Sequence, residues 1–337
     1  MKLARKRKIK SWTIILLLVI FSIVLSKIPP FSTFYISPLI IAVIVGAILG
    51  NISHKNVLML RRSHVLAVST KQILRLGIIL FGFKLSIADI SQVGIVGIFL
   101  SFFIVFSTFF IGYYLGQKIG LDRKSAALIS SGSSICGAAA VLAAGSVIKA
   151  KSDQIAIAVS TVVVFGTIGM FAYPLIFSSQ ILAFSELKMG FFTGASLHEV
   201  AHVVGAGSAI GEVAQANAVI IKMLRVLMLA PFLIVLSSLN LEASNSKKSL
   251  NIRASFPYFA LWFLFAVSFN SIGILSDFLL EIIYFIDILL LTIAMSALGV
   301  TIRKDVLKNA GKKPFVLAFI LFVWLFLSAF CLVKFLV

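Results

Sequence analysis

A chain of 337 residues that is 61% hydrophobic and 12% charged, with a mean hydropathy of +1.13, cannot cover a folded surface with polar groups, because soluble domains are about half apolar and about a quarter charged. That excludes a soluble enzyme and requires an all-α polytopic membrane protein. The net charge of +19 points to topology and not to nucleic acid, since the Lys and Arg residues lie in short gaps between apolar runs.

At about 20 apolar residues per crossing, eleven spans are predicted, over 11–28, 36–50, 64–83, 93–117, 125–148, 153–177, 189–210, 213–239, 256–275, 279–300 and 314–334. The linkers are short, so 1–337 reads as a single transmembrane domain with a basic cytoplasmic tail at 1–10. That tail and the apolar run after it resemble a signal peptide, but the exit Ser26-Lys27-Ile28-Pro29-Pro30 lacks a small-x-small pattern, so an uncleaved first span is expected. With the tail in the cytoplasm, the outer segments hold only Lys27, Lys84, Lys149, Lys151 and Lys334. This bias predicts an N-in, C-out multi-pass membrane protein. Cys136 and Cys331 both lie in apolar runs and form no disulfide framework.

Lys71 and Arg75 fall inside the third span, where their charges can snorkel from its cytoplasmic start. The stretch Leu74–Leu85 echoes Leu291–Ile302, and Gly132-Ser-Ser134…Val141…Gly145 echoes Gly194-Ala-Ser196…Val203…Gly207. The first pair fits an inverted repeat of secondary transporters. The second runs in one direction in an eleven-span count; a re-entrant 189–210 would invert it, but the crossing is the expectation here.

Four serines and two glycines interrupt the fifth span in Ser130-Ser131-Gly132-Ser133-Ser134-Ile135-Cys136-Gly137. Freed backbone is tolerated at membrane depth only where it lines a cavity or is buried in protein, so a discontinuous helix is predicted. Its second half, beginning near Ser134 to Gly137, would offer unpaired amides to an anion; close packing of small residues is the plainer alternative. In the seventh span His198, Glu199 and His202 place two imidazoles and a carboxylate at membrane depth, where ionisable groups are functional by default. Histidine also suits proton coupling. His198-Glu199-x-x-His202 is a literal zinc-hydrolase motif, which requires both imidazoles on one face of a continuous helix. Flanking glycines weaken that geometry, and no third ligand is evident. In the eighth span Lys222 and Arg225 share a face and need a partner: Glu199, an anionic substrate, or Asp287 in the tenth span.

These residues sit in stretches that resemble the YeiH-like inner-membrane proteins, a family named for sulfate export: Leu76-Gly-Ile-Ile-Leu-Phe-Gly-Phe-Lys-Leu85, Ile135-Cys-Gly-Ala-Ala-Ala-Val-Leu-Ala143, Val164-Phe-Gly-Thr167 with Tyr173-Pro174, His198-Glu-Val-Ala201, Lys222-Met-Leu-Arg-Val226, and Ala297-Leu-Gly-Val-Thr301 with Ala310-Gly-Lys-Lys-Pro314. The resemblance implies a bacterial carrier related to transporters with crossed broken helices, and it suggests sulfate. It does not demand His202.

The expected function is a secondary carrier exporting a small anion with H⁺ or Na⁺ coupling, its site built from Ser131, Gly132, Ser133, Ser134, Cys136, Gly137, His198, Glu199, His202, Lys222, Arg225 and Asp287. A cation/proton antiporter using Glu199 and Asp287 is the alternative, with an intramembrane zinc hydrolase behind it. The expected partners are the anion, the coupling ion, the lipid bilayer and a second copy of the chain. No enzyme activity, cofactor or resident metal is expected, and no Walker pattern supplies ATP.

Overall fold

The computed structural model describes residues 2–28, 37–239, 257–302 and 311–337, and every regular element among them is helical. Among the described residues seven helices are long and apolar enough to cross a membrane, or eight if Pro38–Ile52 and His54–Arg62, bent by 107°, count as one span. The expected count of eleven is not reached: segments 125–148 and 189–210 are each broken in the middle, and Tyr258–Asn270 has 13 residues. The predicted linker at 240–255 lies outside the described residues.

Where the sequence reads as one domain, the chain divides into two compact units, Met1–Ile90 with Phe259–Asp305, and Ser91–Tyr258 with Val306–Val337. In the first unit, α1 (Lys2–Ser26), α2 (Pro38–Ile52), α3 (His54–Arg62) and α4 (Val65–Lys84) precede the start of α5 (Ile87–Lys118). Ile15, Val19, Val57, Leu60, Val65, Leu66, Ile293, Ala297 and Val300 form its core. A π-helical turn at Val68–Ile73 carries Lys71, which is exposed, as is Arg75 with its guanidinium 5.4 Å from the Phe259 ring centre.

The second unit continues α5 and then holds α6 (Arg123–Ser134), α7 (Ala138–Val147), α8 (Ser152–Ser178), α9 (Glu186–Ser196), α10 (Val200–Ile210), α11 (Glu212–Leu227) and α12 (Leu229–Ser238). Two helices of the first unit follow, α13 (Tyr258–Asn270) and α14 (Asp277–Thr301), and α15 (Lys312–Leu336) closes the second.

The broken segments fold back on themselves. Lys124 Nζ donates to the Lys149 carbonyl at 3.1 Å and Gln154 Nε2 to Asp122 Oδ1 at 2.9 Å, whereas a continuous helix would hold residues 124 and 149 about 37 Å apart. Higher in the same pair, Gly132 packs on Val141 and Gly145 faces Leu128. So α6 and α7 are the arms of a re-entrant hairpin. The second pair closes the same way: Glu186 Oε1 accepts from the Val213 and Ala214 amides at 2.8 and 3.2 Å, across about 40 Å of would-be helix. Gly190 and Gly194 on α9 pack on Ala214 and Ala218, running with α11, while Gly207 on α10 packs on Gln215, running against it. The crossing expected for 189–210 is therefore corrected to a re-entrant hairpin, and 125–148 likewise. Hydropathy cannot separate the two cases, because a hairpin of two apolar arms has the composition of one span. Each first arm has 11 or 12 residues, or about 17 Å, so each tip reaches the middle of a core about 30 Å thick. The 27 residues of α8 separate the two hairpin bases, which lie at opposite ends of that helix.

The glycines of both sequence echoes pack closely on neighbouring helices. Gly132 and Gly145 pack on Val162 and Ile155 of α8, as Gly194 and Gly207 pack on Ile221 and Gln215 of α11. Gly82 meets the Phe263 carbonyl of α13, as Gly299 meets the Val43 carbonyl of α2. At the α2–α14 crossing a Cβ on Gly46 would strike the Ser296 carbonyl, which is rigid backbone. Gly46→Ala is accordingly expected to cost about 1–3 kcal/mol by overpacking, read as a lowered thermal midpoint in detergent; an unshifted midpoint would mean the helices can separate without cost.

Candidate functional site

The two tips meet. The first runs Ile135-Cys136-Gly137 between α6 and α7, with Gly137 at φ +74° and ψ −130°, a conformation reserved for glycine. The second runs Leu197-His198-Glu199 in extended backbone between α9 and α10. Glu199 Oε1 accepts the Ala138 amide at 2.9 Å, so the protein's own carboxylate sits at the N-terminus of α7. There is no room for a Cβ on Gly137, because Glu199 Cγ fills the space.

The opposite polarity is met from α11. The last carbonyls of a helix lack internal partners and carry its negative dipole end, and those of α6 and α9 belong to buried residues. Lys222 Nζ donates to the Ile135, Leu197 and His198 carbonyls at 2.6, 2.7 and 2.7 Å. Arg225 Nη1 donates to Gly194, Ala195 and Leu197 at 3.0, 2.6 and 2.9 Å, and Nη2 to Ser133 and Ser134 at 3.1 and 2.8 Å, with Nε on Ser134 at 3.2 Å. Both side chains are fully buried. One cation pair on one helix thus fastens the C-terminal ends of α6 and α9 to each other.

The histidines flank the carboxylate. His202 Nδ1 is 3.9 Å from Glu199 Oε2, its Nε2 lies 3.4 Å from Thr167 Oγ1, and its ring lies over Gly166 of α8. His198 is fully buried with neither ring nitrogen hydrogen-bonded among the described residues, its ring stacked 6.2 Å from Phe322 of α15. His198 lies in the break and not on α10, so the two imidazoles do not share a helix face. The helical premise of the zinc motif is not met.

Of the expected site residues, Ser133, Ser134, Cys136, Gly137, His198, Glu199, His202, Lys222 and Arg225 come together at the tips. The serines contribute carbonyls. The hydroxyl of Ser134 turns back to the Ser131 carbonyl, that of Ser131 to Ala127, and Gly132 packs on α8. Two expectations change. Lys222 and Arg225 spend their donors on backbone, not on substrate. Asp287, expected as a partner of Lys222, pairs with Lys84 Nζ at 2.8 Å within the first unit, beside the Phe81 and Tyr284 rings. Lys84 closes the third span and reads in the sequence as a loop residue, which hid the pair.

Sequence reasoning also missed the acids that close the hairpin bases. Glu186 caps α11 from another helix, and Asp122 caps α6 through the Ser125 amide at 3.0 Å. Burial pushes the Asp122 carboxyl up, but hydrogen bonds from Ser125, Gln154 and Lys124 outweigh it and leave the group below its ordinary value. An acid just ahead of a predicted helix was the available signal.

A family profile described as Conserved hypothetical protein 698 matches residues 11–318. The UPF0324 membrane protein of Bacteroides thetaiotaomicron is 43% identical over 303 residues, 89% of this chain and 90% of the relative. The UPF0324 inner membrane protein YeiH of Escherichia coli strain K12 is 43% identical over 290 residues, 86% of this chain and 83% of the relative. The UPF0324 membrane protein plu2856 of Photorhabdus laumondii is 41% identical over 313 residues, covering 90% and 86%. No solved structure matches.

Proposed function

We propose that this chain, which belongs to the UPF0324 family of membrane proteins, is a secondary carrier of a small anion held where the two hairpin tips meet. The observation that carries the reading is the charge of that meeting point: two buried cations, Lys222 and Arg225, against one carboxylate, Glu199. With the α6 and α9 carbonyl ends already neutralised, the N-terminal ends of α7 and α10 face the tips with an excess of positive charge, which stabilises an anion. Hairpins entering from opposite ends of the unit give each side of the membrane its own gate, the arrangement alternating access requires. Glu199 and His202 are the groups that can exchange a proton with transport. Sulfate is the suggestion of the family resemblance.

A cation/proton antiporter is the second reading, favoured by Glu199 being a part-exposed carboxylate at the tip, with 14% of its side chain accessible. Uptake into proteoliposomes of chloride, nitrate, sulfate and thiosulfate, under imposed pH or Na⁺ gradients, separates the two. Accumulation of an anion supports the carrier; Na⁺-dependent proton flux with no anion uptake replaces it with the antiporter. Neither reading needs bond-breaking chemistry.

In this reading the seven long helices, Pro38–Ile52 and Tyr258–Asn270 cross the membrane, nine crossings in all. With N-in and C-out ends, this leaves only Lys27, Lys84, Lys188 and Lys334 outside, a stronger inward bias than eleven spans give. Single cysteines replacing Lys151 and Lys312 in a cysteine-free background should react with an impermeant maleimide only from the cytoplasm, and those replacing Gln180 and Glu212 only from outside. Reaction at 151 from outside would restore a crossing to 125–148 and reject the topology.

A further inference from the structure

We infer that Glu199 is a tethered occupant of the anion seat, so that the transported anion binds at the N-terminus of α7 only when a proton has neutralised Glu199 and released it from the Ala138 amide. This rests on the carrier reading above and specifies its coupling: proton and anion enter the site together.

The geometry is that of a displaceable ligand. Glu199 Oε1 takes the Ala138 amide at 2.9 Å, and its methylene fills the hollow a Cβ on Gly137 would occupy. The other oxygen, Oε2, accepts no hydrogen bond among the described residues and faces His202 Nδ1 at 3.9 Å. That nitrogen is fully buried and has no hydrogen-bond partner among the described residues, so it is placed to receive an O–H from a protonated Glu199. Two anions cannot share one amide in a medium of low dielectric. A neutral acid can turn away and leave the helix end to the incoming charge. No bond other than the one to the proton changes, and the proton comes from water.

The titratable and charged groups around Glu199 come from the two hairpins and α11. Its own hairpin presents His198 and His202, the opposite tip presents Cys136, and α11 presents Lys222 and Arg225. From α8 come Gly166 and Thr167, which do not titrate. Lys222 and Arg225 are committed to carbonyls, so neither replaces Glu199 as the gate.

The test is anion binding by purified protein in nanodiscs, followed by calorimetry in buffers of different ionisation enthalpy between about pH 5 and about pH 8. Chloride, nitrate, sulfate and thiosulfate are the probes, because none titrates there. Wild type should lose up to about tenfold in affinity per pH unit where Glu199 ionises, taking up about one proton per anion. Glu199→Gln should bind at every pH with the affinity wild type reaches in acid, with no proton uptake. Ala138→Pro keeps the fold, since proline suits the first helical position, but lacks the contested amide; it should bind about tenfold more weakly or worse in acid. Affinity independent of pH in wild type, proton uptake surviving in Glu199→Gln, or weaker binding in Glu199→Gln than in wild type would overturn the inference and leave the carrier standing. No binding of any probe to either protein would remove the anion reading itself.

Discussion

Arg225→Met is expected to lower stability by about 3–5 kcal/mol, the range seen when one partner of a buried charged network is removed. Arg225 makes six hydrogen bonds to carbonyls of two separate helix ends: Ser133 and Ser134 on one side, Gly194, Ala195 and Leu197 on the other. Methionine fills much of the volume but donates nothing, and each carbonyl left without a partner costs about 1–3 kcal/mol. Arg225→Lys should recover only part of the loss, because an ammonium is a single point of donation and cannot fork between α6 and α9. Equilibrium unfolding in mixed micelles measures both. Stability equal to wild type in Arg225→Met would show that the two helix ends have another partner, and the fastening of the hairpins would have to be sought elsewhere.

The parts of this arrangement legible in the sequence are those that a local anomaly marks. Serines and glycines at 130–137 announced a break, and it lies where they stop, between Ser134 and Ala138. His198 and Glu199 announced a polar point at membrane depth, which is the second tip. The demand that Lys222 and Arg225 find partners was also readable, but the sequence offers side chains as candidates and the partners are backbone carbonyls, which every residue has. At the α7 N-terminus, where the sequence suggests a seat for an anion, stands the carboxylate of Glu199. What could not be read is the reversal of direction at each tip. In the topology proposed above, two hairpins stand in for two crossings and the changes cancel, so both ends of the chain keep their sides and only Lys149, Lys151 and Lys188 change place. A charge rule moved by three residues in thirty cannot detect that. The closing contacts, Lys124 with Lys149 and Glu186 with the start of α11, join ends of segments and leave no periodic trace.

Gly137→Ala should be the sharpest probe of the contact between the tips. At φ +74° and ψ −130° a non-glycine residue carries strain of about 1–3 kcal/mol. The new methyl group would also occupy the place of Glu199 Cγ, forcing the carboxylate off the Ala138 amide at a further cost of about 1.5–3 kcal/mol for a charged hydrogen bond. In the wild-type background the two effects add to about 2.5–6 kcal/mol. In a Glu199→Ala background the collision is gone and only the strain remains, so the same substitution should cost about 1–3 kcal/mol. The difference, a coupling of about 2 kcal/mol, isolates the Glu199 contact from the backbone conformation, which is what a double-mutant cycle measures for residues in direct contact. Unfolding of the four proteins under one condition supplies the cycle. Equal costs in the two backgrounds would mean that Glu199 does not occupy the hollow beside Gly137, and the tethered carboxylate would lose its seat.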